Sequence, residues 1–205
     1  MIKQILFTAA WFAATGSAAA GDMFSDLRGW ELRTEPAADL ASAIGVHAGG
    51  VVAVSGSPSG FFATTASYRN YRLHVEWRWP AKVGNAGVLL NISDGPMDRV
   101  WPLSVQVQTK SGNAGDLLPM AGAKFAEPLT GDKPAVKARM AASSERPAGE
   151  WNSADIVSRD GVIEVMVNGV PQNRVTGATP REGRIGFQLE GTPYELRHVE
   201  LTPLE

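Results

Sequence analysis

The chain has 205 residues, a formal net charge of −2 and no cysteine. The absence of thiols excludes disulfides, thiolate metal sites, a cysteine nucleophile and a lipid-modified cysteine anchor. No long basic run and no basic stripe interleaved with aromatics occurs, which argues against nucleic acid as a partner.

The first twenty residues differ from the rest. Lys3 gives a basic start, Ile5 to Ala14 an apolar middle, and Ser17-Ala18-Ala19-Ala20 the small-residue pattern accepted by a signal peptidase. That order predicts a secretory signal over residues 1–20, too short and wrongly flanked for a membrane span. The expected location is therefore periplasmic or secreted. Removing the segment takes away one Lys and no acid, so residues 21–205 keep a net charge of about −3. Those 185 residues fit one domain and can bury a core without covalent staples. Nothing after residue 20 has the run of apolar residues that a membrane span needs.

In chain order, Pro36 to Ile44 is Ala-rich and is the one helical candidate. Val51 to Val54 reads as a short strand. From Tyr71 to Trp79, Tyr71, Leu73, Val75, Trp77 and Trp79 alternate with Arg72, His74, Glu76 and Arg78, a strand with one apolar and one polar face. Val88 to Ile92 reads as a strand buried on both faces. Val105, Val107 and Thr109 alternate with Gln106, Gln108 and Lys110, and residues 110–150 are loop-rich. Asp155–Ser158 and Val162–Val167 flank Asp160-Gly161, and Asn168-Gly169 follows. Both dipeptides suit tight hairpin turns, which need φ > 0. Ile185, Phe187 and Leu189 alternate with Gly186, Gln188 and Glu190, and residues 194–201 form the last strand. Short strands separated by 22 Gly and 13 Pro point to an all-β sandwich or barrel.

The carboxylate motif of retaining β-glucanases, Glu-x-Asp-x-x-Glu, is missing, since Glu-x-Asp occurs nowhere in the chain. His47, His74 and His198 have no partner at metal-ligand spacing. Asp94 and Asp98 bracket Gly95-Pro96 and offer oxygen ligands of the kind calcium takes, but a solvated turn explains them as well, so no metal or cofactor is expected. The polar strand positions are more suggestive. His74, Glu76 and Arg78 share a face, as do Gln106 and Gln108, and Gln188 and Glu190. A side-chain amide both donates and accepts, which suits sugar hydroxyls, although solvent-facing positions of a sandwich would show the same pattern. Trp101 and Trp151 are candidates to stack on a sugar ring, whereas Trp77 and Trp79 fall on the apolar face.

Several stretches, in order, resemble the 3-keto-disaccharide hydrolase family. They are Tyr68-Arg69-Asn70-Tyr71 with Glu76, Asn85-Ala86-Gly87-Val88, the run Arg99 to Gln108 with Ser111 to Asp116, Gly149-Glu150-Trp151-Asn152, Val167-Asn168-Gly169, and Gly183 to Gly191 with Leu196-Arg197 and the closing Leu201 to Leu204. The resemblance implies a concanavalin-like jelly-roll sandwich of two antiparallel sheets. It also implies export and action on glycosides oxidised at C3. A 3-keto group acidifies the C2 proton; a base removes it, the enolate expels the C1 substituent, and water adds back. Glu190, Glu76 and His74 are the acid/base candidates. Gln106, Gln108, Gln188, Asn85, Arg197 and Trp101 are the candidates for substrate contact. Where many members of the family carry Glu, this chain carries Gln106, which keeps the shape but cannot take a proton. A non-catalytic carbohydrate-binding domain on the same fold is the alternative, and an envelope interaction protein a third.

Exported material should begin near Gly21, because Ala18 and Ala20 supply the small positions before the cut. Amino-terminal sequencing of that material checks it; Met1 retained in an envelope fraction would exclude the signal.

Overall fold

The computed structural model describes residues 21–25 and 27–205. The expected secretory signal lies outside the described residues. Two antiparallel sheets make the sandwich. In the first, the strands run in the order Val170–Val175, Val162–Val167, Asn152–Arg159, Tyr71–Arg78, Tyr194–Pro203, Val52–Val54 and Ile44–Val46, and Gly21–Asp22 also pairs with Tyr194–Pro203. In the second, the order is Leu117–Met120, Ser104–Gln108, Gly87–Ile92, Glu182–Leu189, Ser59–Thr64 and Trp30–Glu35, with Tyr68–Arg69 paired to the start of Glu182–Leu189. Neighbours in space are mostly distant in sequence, as in a jelly roll. The helical segment shrinks to a single turn, Leu40–Ala43, because Ile44 already has extended backbone and pairs with Val54.

Alternation places the core. Tyr71, Leu73, Val75 and Trp77 are buried between the sheets while Arg72, His74, Glu76 and Arg78 point away from them. The second sheet answers with Val88, Leu90, Val105, Val107, Ile185, Phe187 and Leu189. Ile163 and Val165 of the first sheet complete the inward set. Phe24, Trp30, Phe62 and Phe187 form an aromatic cluster with ring centroids 4.7–6.2 Å apart. Polar ties cross the core: Tyr71 Oη donates to Asn91 Oδ1 at 2.9 Å, Asn91 Nδ2 donates to the Pro180 carbonyl at 3.1 Å, and Tyr194 Oη donates to the Gln188 carbonyl at 2.8 Å. Asn91 sits at φ 55°, a conformation that Asn tolerates better than most residues.

The hairpin turns follow the sequence pattern. Asp160-Gly161 has φ values of 49° and 80°, and Asn168-Gly169 has 48° and 77°, the left-handed pairs that a two-residue turn needs. Gly87–Ile92 is buried on both faces, as its largely apolar run, interrupted by Asn91, predicts. Its outward residues Leu89 and Ile92 join Phe61 and Ala63 in a small second cluster, against which Met97 packs. That part of the outer face of the second sheet is therefore covered rather than open to water.

Phe187 is fully buried and touches three other aromatic rings. Phe187→Ala should lower unfolding free energy by ~3–5 kcal/mol, from lost burial plus a cavity. Denaturant titration of the two proteins measures it; a loss under ~1 kcal/mol would place the ring outside the core.

Candidate functional site

The outer face of the second sheet carries a cavity of about 500 Å³. Gln106 and Gln108 come from strand 104–108, Gln188 and Glu190 from strand 182–189 and its end, and Asn85 from the segment leading into strand 87–92. Trp101 and Asp98 arrive on a two-strand hairpin in which they pair directly. Leu118, Pro119 and Met120 form one wall, and the small hairpin holding Asp132, Lys133, Pro134 and Ala135 another. That second hairpin is anchored where Leu117 and Lys137 exchange backbone hydrogen bonds of 2.9 and 2.8 Å.

The glutamines are not solvent-facing. Gln106 is 1% exposed and Gln188 3%, so their amides need partners inside the protein. They find them in one another. Gln106 Nε2 donates to Gln188 Oε1 at 3.0 Å and to Gln108 Oε1 at 3.2 Å. Gln188 Nε2 donates to Glu190 Oε2 at 2.5 Å, and Asn85 Nδ2 donates to the same oxygen at 2.7 Å. Glu190 Oε1 has no hydrogen-bond partner among the described residues. An isolated backbone bridge between Asn85 and Glu190 fixes the two residues side by side.

Gly87 makes the network possible. It lies on the central strand between Gln108 and strand 182–189. A Cβ there would stand 2.4 Å from Gln106 Nε2. With only hydrogen at that point, the Gln106 side chain lies over the strand and reaches Gln188 on its far side. The glycine serves close approach, since its backbone does not need positive φ.

Half-burial raises the Glu190 carboxyl above its ordinary pKa, against the opposing pull of Lys110 and Arg99. Asp98 and Asp132 line the same cavity but are exposed. Glu190 is thus the carboxylate held inside the pocket, with one oxygen fixed and a shifted proton affinity. Trp101, 8% exposed, offers part of its ring to the cavity and buries the rest.

The other three candidates lie elsewhere. His74, Glu76 and Arg197 sit on the outer face of the first sheet, on two paired strands, with the whole sandwich between them and Glu190. They belong to a tight ion network. Arg197 Nε donates to Glu76 Oε2 at 2.6 Å. Asp155 accepts from Arg72 at 2.8 Å and lies 3.1 Å from His74 Nδ1. Arg78 pairs with Glu195, and the guanidinium groups of Arg78 and Arg197 lie 4.7 and 4.1 Å from the centre of the Trp151 ring. A cavity of about 480 Å³ opens there, lined by Arg72, His74, Glu76, His198, Glu200 and Thr202. No single bound substrate can touch both faces. Asp94 and Asp98 are both exposed, and among the described residues no group of three or more His, Asp or Glu side chains is disposed to hold a metal ion.

Sequence reasoning did not single out Lys110, Asp98, Gly87 or the 131–136 hairpin for this cavity. The first three lie in or beside recognised stretches, but nothing local shows that they meet. Asp155 was also missed, although it stands directly across the ladder from His74.

The model of the 3-keto-α-glucoside-1,2-lyase-like domain matches residues 20–202, so the chain belongs to that family. No curated protein matches it in sequence. Solved structures share the fold at low identity. A candidate glycosyl hydrolase from Parabacteroides distasonis superposes with a TM-score of 0.63 at 19% identity, over 88% of this chain and 90% of that one. A carbohydrate-binding module from Bacillus subtilis gives 0.59 at 9% identity, over 85% and 95%. A non-specific endo-β-1,3(4)-glucanase gives 0.60 at 12% identity, over 92% and 88%. The fold is the concanavalin-like jelly roll that the sequence resemblance implies.

The dyad on the first sheet makes stability depend on pH. The hydrogen bond to Asp155 raises the His74 pKa above 6.5, so the folded state binds the proton more tightly than the unfolded one. The stabilisation is complete below pH ~6.5 and is lost as pH rises through the folded value. Denaturant melts at pH 5.5 and 8.5 should show this slope in the wild type and a smaller one in His74→Gln.

Proposed function

We propose that the chain is an exported carbohydrate-active protein that acts on 3-keto-glycosides in the Gln106–Glu190 cavity, with Glu190 as the base. The observation that carries this reading is the position of Glu190: a half-buried carboxylate with raised proton affinity, held at one oxygen by Gln188 and Asn85 and, among the described residues, without a hydrogen-bond partner at the other.

In this mechanism Glu190 Oε1 removes the proton from C2 of a sugar oxidised at C3. The C–H pair moves into the C2–C3 bond and the carbonyl becomes an enolate. Lys110 and the Gln108 amide line the cavity as donors for the enolate oxygen. The electrons then return, form a C1–C2 double bond and break the C1–O bond to the aglycone. The departing oxygen takes a proton, and addition of water across C1–C2 gives net hydrolysis. The route needs one placed base rather than two facing carboxylates, so the missing Glu-x-Asp-x-x-Glu motif is no obstacle. Burial suits the task, because a base with a pKa above the ordinary carboxylate value is stronger when it works near neutral pH. Trp101 supplies an apolar ring edge for the sugar.

A specific observation supports the second reading, a carbohydrate-binding domain without turnover. Position 106 carries Gln where the family resemblance places Glu, and Gln106 here is committed to structural hydrogen bonds.

Turnover of a 3-keto-disaccharide separates the two. The wild type should convert it, and Glu190→Gln should lose at least ~100-fold in kcat/KM with its thermal midpoint kept. A Glu190→Gln protein as active as wild type would remove Glu190 from the chemistry. Binding of the 3-keto-disaccharide by the wild type without turnover would establish the binding domain.

A further inference from the structure

We infer that Gln188 and Gln106 are positioning residues for Glu190: together they form a one-directional amide chain that holds one carboxylate oxygen, leaves the other open to the cavity, and has no place for a second carboxylate at position 106. The inference rests on the reading of Glu190 as the base, but its test does not depend on turnover.

The direction follows from which atoms can donate. An ionised carboxylate only accepts, so the Gln188 amide must turn its Nε2 toward Glu190, where it stands 2.5 Å from Oε2. Its Oε1 then faces the other way and must accept. Gln106 supplies that donor at 3.0 Å and shares the same Nε2 with Gln108 Oε1 at 3.2 Å. Gln108 Oε1 also accepts the Lys110 backbone N–H at 3.2 Å. Every link thus takes its orientation from the negative end at Glu190.

A glutamate at 106 would break that order. The oxygen that takes the place of Nε2 can only accept, yet it meets two carbonyl oxygens, those of Gln108 and Gln188. The buried chain has two ways out. The new carboxyl takes a proton and donates, or Gln188 flips to serve it. The flip turns the Gln188 carbonyl oxygen toward Glu190 Oε2, so Glu190 loses its shorter hydrogen bond and faces a lone pair. The Gln106 side chain lies over Gly87, within 2.4 Å of where a Cβ would stand, and so reaches across that strand to Gln188.

Other charges around Glu190 are accounted for. Lys110 and Arg99 favour its ionised form, and Asp98, Asp132 and Lys133 line the same cavity. The amides of Gln188 and Asn85 are its hydrogen-bond donors among the described residues.

The experiment is a carbon-13 NMR titration of the Glu190 side-chain carboxyl, assigned with Glu190→Gln, in the wild type, Gln188→Met, Gln106→Glu and Gln106→Met, together with the pH profile of kcat/KM. Gln188→Met should raise the Glu190 midpoint by about one pH unit through loss of a donor to the charged form, and Gln106→Glu should do the same where the new carboxyl is ionised and Gln188 flips to serve it. Gln106→Met should leave it nearly unchanged, since Gln188 still donates to Glu190. The acid limb of kcat/KM, where the base is protonated, should move up by the same amount, about tenfold less activity below both midpoints. A merely structural role for Gln106 would make Met and Glu equally harmful and leave the Glu190 midpoint in place. An unmoved midpoint in both Gln188→Met and Gln106→Glu overturns the inference; if Gln106→Glu does not fold, Gln188→Met decides alone. Midpoints that move as expected in a protein without turnover support the amide chain and count against the catalytic reading only.

Discussion

The pleat ties the chemistry to the core. Each residue that fills the space between the two sheets sends its neighbours to an outer face, and no strand can change that without exchanging its whole apolar set for its polar one. Val105 and Val107 are buried between the sheets, so Gln106 and Gln108 must project outward; Phe187 and Leu189 do the same for Gln188 and Glu190. Tyr71 to Trp77 impose the opposite outer face on His74 and Glu76. The candidate site is a by-product of core packing, held at the rigidity of the core.

The two outer faces then diverge. The first sheet leaves its polar residues at the surface, where Arg and carboxylate side chains pair with one another and with His74. Those pairs satisfy themselves. On the second sheet, the segments at 97–102 and 117–136 fold over the strands and exclude water from the amides. Once covered, a side-chain amide must be paired, and the pairing runs to the half-buried carboxylate of Glu190. Polar residues of similar type thus become an ion network on one face and a directed hydrogen-bond chain on the other. Coverage rather than composition makes the difference.

The comparison with the endo-β-1,3(4)-glucanase is instructive for the same reason. The two chains share a sandwich at 12% identity. This chain has no Glu-x-Asp and places one half-buried carboxylate in its cavity, flanked by amides. A shared scaffold at that identity leaves the chemistry open, so the site rather than the fold has to be read for function.

Much of the sandwich was legible in the sequence. Alternation in 71–78, 104–108 and 182–189 assigned inward and outward residues, and Asp160-Gly161 and Asn168-Gly169 marked two hairpins, because side-chain period and turn conformation are local properties. The candidate residues were also visible, since ordered stretches carried the family resemblance. Their grouping was not. His74, Glu76 and Arg197 part company from Glu190 because sheet membership depends on pairings between strands more than a hundred residues apart, which no local pattern records. The burial of Gln106 and Gln188, the gap above Gly87 and the entry of Lys110 and the 131–136 hairpin belong to tertiary structure for the same reason. Each requires a segment remote in sequence to close over a face that, by alternation alone, would look out on water.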